Sequence, residues 1–283
     1  MWILGTPRSG STWLLSMLTR ATDALGINEP LIGDHLGLSL GSSYGLPVPG
    51  DPLIVNAMAD RPSYFFARHA RTVWRPPLRR LLLQRFGLEA WRYKKRTGRR
   101  PDLVVVKEPN GSAAAPELLD TLPRSRMLFL VRDGRDVVSS LLDGASDGWI
   151  TETLGMRATG HEHRRAYLAE SARRWVRNVE SSQQAFERHP QELRLRVTYE
   201  SLRAAPRREM RRILSWLGRG DARSKVEHVV QGTDFAEIPE DAKGSGRFLR
   251  AATPGLWREE LSTEDQELAE SVMGPALESL GYA

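Results

Sequence analysis

A glycine- and serine-rich turn near the start of the chain constrains the fold more than any other feature. The turn runs from Gly5 to Trp13 (GTPRSGSTW) and follows a short apolar run, Trp2 to Leu4. A strand, a Gly/Ser-rich turn and a helix in this order predict a phosphate-binding loop, because the N–H groups of loop and helix converge on one anion. The apolar residues after the turn recur as on one helix face, at Leu14, Leu15, Leu18, Ala21 and Leu25.

The turn departs from the pattern G-x-x-x-x-G-K-[ST] at one position. Ser11 stands where a nucleotide triphosphatase has lysine, and the nearest cation is Arg8, inside the turn. The loop therefore lacks the charge that reaches β- and γ-phosphates. This predicts a single phosphate or a phosphosulfate as the bound anion, in place of a magnesium triphosphate. The alternative is an ordinary turn in which Ser11 or Thr12 caps the helix.

Apolar runs separated by helical stretches predict an α/β fold. Leu103 to Val106 and Met127 to Val131 are continuous apolar runs, as in parallel strands buried on both faces, and Leu193 to Tyr199 reads as a further strand. We expect a three-layer α/β/α arrangement around a central parallel sheet. We also expect a single domain over 1–283, with an insertion at about 37–100 that covers the substrate.

Charged residues follow three of the predicted strands. Arg8 comes after the first, Lys107 and Glu108 after the second, and Arg132 after the third. Ligands of such sheets bind beyond the carboxyl ends of the strands. We therefore expect three cations to gather around one anion.

The composition excludes several kinds of site. The 283 residues include no Cys, which excludes disulfides, thiol nucleophiles and cysteine-ligated metals. The six His residues form no H-E-x-x-H motif, so we expect no metal site. No run approaches the ~18 apolar residues of a membrane span. No basic stretch precedes an apolar one at the N-terminus, so we expect a cytoplasmic protein without a secretory signal.

The net charge of +6 is concentrated in one segment. Residues 75–100 hold ten Lys and Arg against Glu89 alone. Such a block indicates contact with an anionic substrate, a membrane surface or nucleic acid, or simply a solvated helix face. We expect no nucleic-acid partner and keep membrane-surface contact open, as we do the oligomeric state.

Two segments resemble motifs of the sulfotransferases that use 3′-phosphoadenosine-5′-phosphosulfate (PAPS) and release adenosine 3′,5′-bisphosphate (PAP). Pro7 to Leu14 (PRSGSTWL) resembles their 5′-phosphosulfate loop, and Arg132 to Ser140 (RDGRDVVSS) resembles their 3′-phosphate motif. The motifs stand in the family's order. The resemblance, to a bacterial member, implies the P-loop-NTPase-like sulfotransferase fold. It also implies in-line transfer of a sulfuryl group to a hydroxyl or amine, without a metal.

The resemblance assigns nucleotide-binding roles. The loop with Arg8 would hold the 5′-phosphate, and Arg132 with Ser140 would hold the 3′-phosphate. Arg250 to Arg258 resembles the segment that closes over the nucleotide in the family, and we call it the closing segment. It departs from the family's pattern, because Ala251-Ala252 stands where the family has Lys-Gly. The residues implied in binding are Arg8, Ser9, Gly10, Ser11, Thr12, Trp13, Arg132, Ser140, Tyr199, Thr233, Phe235 and Arg250.

Catalytic roles follow from the same resemblance. Arg8 and Lys107 are the candidates that would stabilise the charge growing on the leaving phosphate. Steroid and phenol members have a His base two residues after the strand-end lysine, where this chain has Pro109. The base therefore stays open among three residues: Glu29, in a loop predicted from Gly26 to Pro30, His35 and Glu108.

Two other functions and several acceptors remain open at this stage. A P-loop kinase or nucleotide triphosphatase is disfavoured by Ser11, and a non-catalytic nucleotide- or membrane-binding protein is the third hypothesis. Aromatic residues of the insertion predict a pocket for a small molecule, a glycan or a glycolipid. They are Tyr44, Tyr64, Phe65, Phe66, Trp74, Trp91 and Tyr93.

Overall fold

The computed structural model describes residues 1–35, 65–146, 148, 150, 160–237, 239–247 and 251–282. Five strands form one sheet in the order β2-β3-β1-β4-β5, and all neighbouring strands are parallel. The strands are β1 (Trp2–Gly5), β2 (Leu25–Asn28), β3 (Val104–Lys107), β4 (Met127–Val131) and β5 (Arg194–Thr198).

Helices connect the strands and continue after the last one. They are α1 (Ser11–Thr22), α2 (Ile32–His35), α3 (Arg71–Thr97), α4 (Ala115–Thr121), α5 (Gly134–Ala145), α6 (His161–Arg188), α7 (Tyr199–Ala204), α8 (Pro206–Trp216), α9 (Val226–Gln231), α10 (Trp257–Glu260) and α11 (Thr263–Leu280). Short 3₁₀ turns lie at Arg68–Ala70, Ser112–Ala114, Gln191–Leu193, Gly220–Lys225, Phe235–Glu237 and Glu240–Ala242.

The sheet buries both of its faces, which makes the fold three-layered. Ile3 and Leu128 belong to a core with α1, α8 and α9 on one face. Trp2, Leu4 and Phe129 belong to a second core with α5, α6 and α11 on the other face. Successive strand side chains point to opposite faces, so a strand covered on both sides must be apolar throughout. The α/β prediction is confirmed.

The edge strand β2 was not predicted. The sequence indicated a helix face that extends to Leu25 and a loop that begins at Gly26. In the structure α1 ends at Thr22, and Asp23 takes a left-handed backbone conformation with φ 54°. The strand is short, contains Gly26, and is buried mainly at Leu25, so it lacks the apolar run that marked the central strands. Its end places Glu29 at the carboxyl edge of the sheet, beside Lys107.

The basic segment forms one 27-residue helix, α3. Its inner side is anchored by Trp74, Leu78 and Leu82, which are buried. Arg71 and Arg75 also bind Glu117 of α4. Residues 36–64, which hold the first part of the insertion expected at about 37–100, lie outside the described residues.

Candidate active site

The carboxyl ends of β1, β3 and β4 open into one cavity of about 670 Å³. Arg8, Lys107 and Arg132 all line this cavity. The structure therefore brings together the three cations that follow these strands in the sequence.

Two glycines shape the loop between β1 and α1. Gly5 has φ 149°, and a Cβ there would lie 2.0 Å from the Leu130 carbonyl oxygen of β4. Gly10 has φ 81°, and a Cβ there would lie 2.6 Å from the Tyr199 ring. Arg8 itself is left-handed, with φ 64°, a conformation that costs a side-chain-bearing residue about 1–2 kcal/mol. The loop is thus held tightly against β4 and α7.

Helix α1 begins without a side-chain cap. Its N-cap residue is Gly10, so the alternative in which Ser11 or Thr12 caps the helix is wrong. The Thr12 hydroxyl instead accepts a hydrogen bond from Lys107 Nζ at 2.8 Å. The buried hydroxyls of Thr6 and Ser9 have no hydrogen-bond partner among the described residues. An uncapped helix N-terminus and unpartnered hydroxyls together suit a bound anion.

Arg132 lies at the centre of a second cationic group. Its guanidinium stacks 4.4 Å from the centre of the Tyr199 ring and donates from one Nη to the Arg8 carbonyl at 2.9 Å. Its buried Nε has no partner among the described residues. Arg8 Nε donates to Ser140 Oγ at 2.9 Å, which links the first loop to α5. The two motifs therefore meet in one site.

A chain of polar contacts surrounds Glu29. Lys107 Nζ lies 2.7 Å from Glu29 Oε1, and Asn110 Nδ2 donates to Glu29 Oε2 at 2.9 Å. Arg174 of α6 donates to Asn110 Oδ1 at 3.2 Å. Lys107 is almost fully buried, whereas a third of the Glu29 side chain is exposed and lines the cavity. Both carboxylate oxygens of Glu29 are thus fixed while the group stays reachable.

Glu108 is placed differently, although it follows Lys107 directly. Its carboxylate is fully buried and accepts hydrogen bonds from the backbone N–H groups of Leu31 (3.0 Å) and Gly33 (3.2 Å). It is not among the residues lining the cavity. This geometry holds the turn after Glu29 in place.

Aromatic residues form another part of the cavity. Trp13 Nε1 donates to Thr233 Oγ1 at 3.3 Å, and Phe235 also lines the cavity. The Tyr199 hydroxyl donates to the Ala252 carbonyl at 3.0 Å. Burial raises the pKa of the Tyr199 phenol above its ordinary value, so it remains a donor at neutral pH.

The closing segment before α10 is tied to the second motif. The buried carboxylate of Asp136 accepts from the N–H groups of Gly255 (2.8 Å) and Trp257 (3.2 Å). Arg203 Nε donates to the Ala252 carbonyl at 3.2 Å. Residues 251–253 consequently line the cavity.

Three polar residues of this site were missed by the sequence reasoning. Asn110 directly follows Pro109, the position at which steroid and phenol members have a His base. Arg203 lies one helical turn after Tyr199. Both residues are therefore close in sequence to positions that the motifs had already indicated. Arg174 is close to no such position, because it comes from the middle of α6. The side chain of His35 and the whole of Arg250 lie outside the described residues.

Fold and site together define an α/β protein in which the glycine-rich loop after the first strand lines a cationic cavity at the carboxyl edge of the sheet. The model of the sulfotransferase family matches residues 1–221. The chain therefore belongs to the sulfotransferase family.

Individual relatives are distant. Sulfotransferase 1A1 of Bos taurus is 26% identical over 110 residues, which is 34% of this chain and 36% of the relative. The chain thus matches about a third of that curated relative's length.

Solved structures share the fold at low identity. Mouse sulfotransferase SULT7A1 complexed with PAP has a TM-score of 0.56 at 14% identity, over 100% of this chain and 88% of that chain. A retinol dehydratase in complex with androsterone and the inactive cofactor PAP has a TM-score of 0.53 at 15% identity, over 98% and 80% of the two chains.

None of the described helices combines the length and apolar character needed to cross a membrane. Within the same residues, no group of three or more His, Asp or Glu is arranged to hold a metal ion.

Proposed function

We propose that the chain transfers a sulfuryl group from PAPS to a hydroxyl or amine of a small-molecule acceptor. The observation that carries the proposal is the convergence of Arg8, Lys107 and Arg132 on one cavity that also contains the Glu29 carboxylate. A cationic pocket beside a reachable carboxylate suits the transfer of an anionic group to a nucleophile that must lose a proton.

The residues present fit PAPS as the donor. The uncapped N-terminus of α1 and the buried Ser9 hydroxyl suit the 5′-phosphosulfate. Ser140 and the unpartnered Nε of Arg132 suit the 3′-phosphate. Trp13, Tyr199, Thr233 and Phe235 line the same cavity and would hold the adenine. PAPS supplies the activated sulfuryl group.

Lys107 and Arg8 are the proposed catalytic cations. Transfer breaks the bond between sulfur and the bridging oxygen of the 5′-phosphate and forms a new bond between sulfur and the acceptor oxygen or nitrogen. Negative charge grows on the bridging oxygen, and fixed cations there lower the barrier. Lys107 is held by Thr12 at the start of α1, so its charge needs little reorganisation.

Glu29 is the proposed general base. Its Oε atoms are oriented by Lys107 and Asn110, and the carboxylate borders the cavity, so it can take the acceptor's proton. Glu108 is better suited to positioning, because both of its oxygens accept from backbone N–H groups. His35 stays a candidate, as its side chain lies outside the described residues.

The acceptor side of the cavity favours a compact molecule with an apolar body. Leu31, Leu141, Ile150 and Tyr167 line the cavity that contains Glu29. The retinol dehydratase that shares this fold is bound to androsterone, an acceptor-sized molecule. Alcohols and phenols of this size are therefore the first acceptors to test, before glycans and glycolipids.

The test is transfer of radiolabelled sulfuryl from PAPS to a panel of alcohols, phenols and amines, with separation of the products. We expect labelled product and PAP in equal amounts without added magnesium, and strongly reduced turnover in Arg8→Ala. Magnesium-dependent transfer of the γ-phosphate from ATP to the same panel would instead establish the kinase alternative.

A further inference from the structure

The outer side of α3 carries apolar side chains that the described residues do not cover. Val73, Leu81, Leu88 and Trp91 are between 41% and 74% exposed. At about 100° per residue they fall within an arc of about 80°, along ~27 Å of helix. We call these four residues the α3 stripe. Large side chains aligned in this way mark an interaction surface more often than single exposed residues do.

Cations surround the α3 stripe. Residues 75–100 carry ten Lys and Arg but only Glu89 as an acid. Arg85 and Arg92 bind Glu89, and Arg75 binds Glu117 and Asp120. The remaining helical cations are exposed and form no ion pair with a described residue: Arg79, Arg80, Lys94, Lys95 and Arg96. Lys95 lies 5.5 Å from the Trp91 ring, with its charge beside the stripe.

We propose that α3 docks on an anionic lipid surface, with the α3 stripe in the head-group region and its flanking cations on the lipid phosphates. An apolar stripe with a tryptophan, bordered by long basic side chains, is the pattern of helices that lie in a membrane interface. The stripe stays at the surface, since α3 is anchored to the core through Trp74, Leu78 and Leu82.

The charge distribution favours lipid over a second copy of the chain. A symmetric dimer through α3 would place two strongly basic segments against each other, and such like-charge contact opposes association. The phosphates of a nucleic acid would pair with the cations of α3, but its binding would leave the apolar α3 stripe exposed to water. An anionic lipid surface satisfies both features at once.

The test is flotation of the full chain with vesicles of phosphatidylcholine, with and without phosphatidylglycerol, at low and high salt. We expect binding only to the vesicles with phosphatidylglycerol, weakened by salt. The double variant Leu88→Ser with Trp91→Ser should lose at least about tenfold in affinity. Lys94→Glu should lose at least about fivefold, because removal of one basic residue near an anionic surface costs about 1 kcal/mol and the new carboxylate adds repulsion.

Matched variants separate this surface from general effects. Leu83→Ser removes an exposed leucine of α3 outside the stripe, and Arg211→Glu reverses an exposed charge on α8; both should bind vesicles as the native chain does. Absence of vesicle binding, with a melting temperature lowered in the double variant, would show that the chain itself covers the stripe. Concentration-dependent dimers that the double variant abolishes, seen by sedimentation, would identify a second copy as the occupant. Either result overturns the proposal, and neither depends on the transfer reaction.

Discussion

Lys107 Nζ lies 2.7 Å from Glu29 Oε1 and 2.8 Å from Thr12 Oγ1. One buried cation therefore contacts both the carboxylate at the end of β2 and the first turn of α1, the helix that follows the glycine-rich loop. The proposed base and the proposed anion site are consequently connected through a single side chain.

Glu29→Gln tests the proposed base. The variant keeps the shape of the side chain and removes its ability to accept a proton, so we expect kcat to fall about 10²–10⁴-fold. PAP affinity, measured by titration calorimetry, should stay unchanged. Glu162→Gln on the exposed start of α6 is the control and should retain full activity. Native turnover by Glu29→Gln would exclude Glu29 and leave His35 as the candidate.

Asn110→Ala tests whether Glu29 must be oriented. The substitution removes the donor to Glu29 Oε2 and the acceptor for Arg174, while the carboxylate remains. We expect kcat to fall about 10- to 100-fold with PAP affinity retained, because a hydrogen bond to a charged carboxylate contributes about 1.5–3 kcal/mol. Asn110→Gln should restore part of the rate if orientation is the reason. Equal loss of PAP binding would indicate a structural role instead.

Gly10→Ala tests the close packing of the loop. The added methyl would lie 2.6 Å from the Tyr199 ring, and the left-handed φ of 81° adds about 1–2 kcal/mol. We expect a lower melting temperature and weaker PAP binding. Gly87→Ala is the control, because a Cβ on this α3 residue meets no atom within 4 Å. It should stabilise the helix by about 0.5–1 kcal/mol.

Tyr282→Phe tests a hydrogen-bonded link, through Glu200, between Tyr282 and Asp133 of the 3′-phosphate motif. The Tyr282 hydroxyl donates to Glu200 Oε2 at 2.8 Å, and Glu200 Oε1 accepts from the Asp133 N–H at 3.0 Å. Burial, followed by the charge of Glu200, raises the pKa of the Tyr282 phenol above its ordinary value, so it stays a donor. Losing a bond to a carboxylate should lower the free energy of unfolding by about 1.5–3 kcal/mol in thermal or urea unfolding.

Tyr93→Phe is the matched control for that link. The Tyr93 hydroxyl also donates, to the Asp23 carbonyl at 2.7 Å, but at an exposed position. Its loss should cost less than the loss at Tyr282, since water replaces an exposed donor. Equal destabilisation by both variants would contradict a special role for the Tyr282–Glu200 bond.

The sequence was most informative where a local pattern determines structure. The continuous apolar run Met127 to Val131 predicted β4 at its observed bounds, and the strand–turn–helix pattern around Gly10 predicted the loop. The two motif segments predicted the cavity that Arg8 and Arg132 share, because both follow central strands.

Contacts between distant segments could not be predicted. Residues Leu25 to Asn28 form β2 because they pair with β3. A four-residue segment that contains a glycine has no sequence pattern from which this pairing could be inferred. Arg174 reaches Asn110 across 64 positions, and only the packing of α6 brings them together. Glu108 likewise can be buried only because the backbone N–H groups of Leu31 and Gly33 donate to its carboxylate. These residues are far from Glu108 in the sequence, so the contact has no local sequence signal.

Recognition of a 3′-phosphate is the central claim, and calorimetric titration with PAP and adenosine 5′-monophosphate tests it most directly. We expect PAP to bind at least about tenfold more tightly, without magnesium, because the proposed charge-assisted bonds from Arg132 and Ser140 would serve only the 3′-phosphate. Arg132→Ala and Ser140→Ala should each reduce this difference, with folding checked by thermal unfolding. Equal binding of the two nucleotides, or tighter binding of ATP with magnesium, would contradict the account.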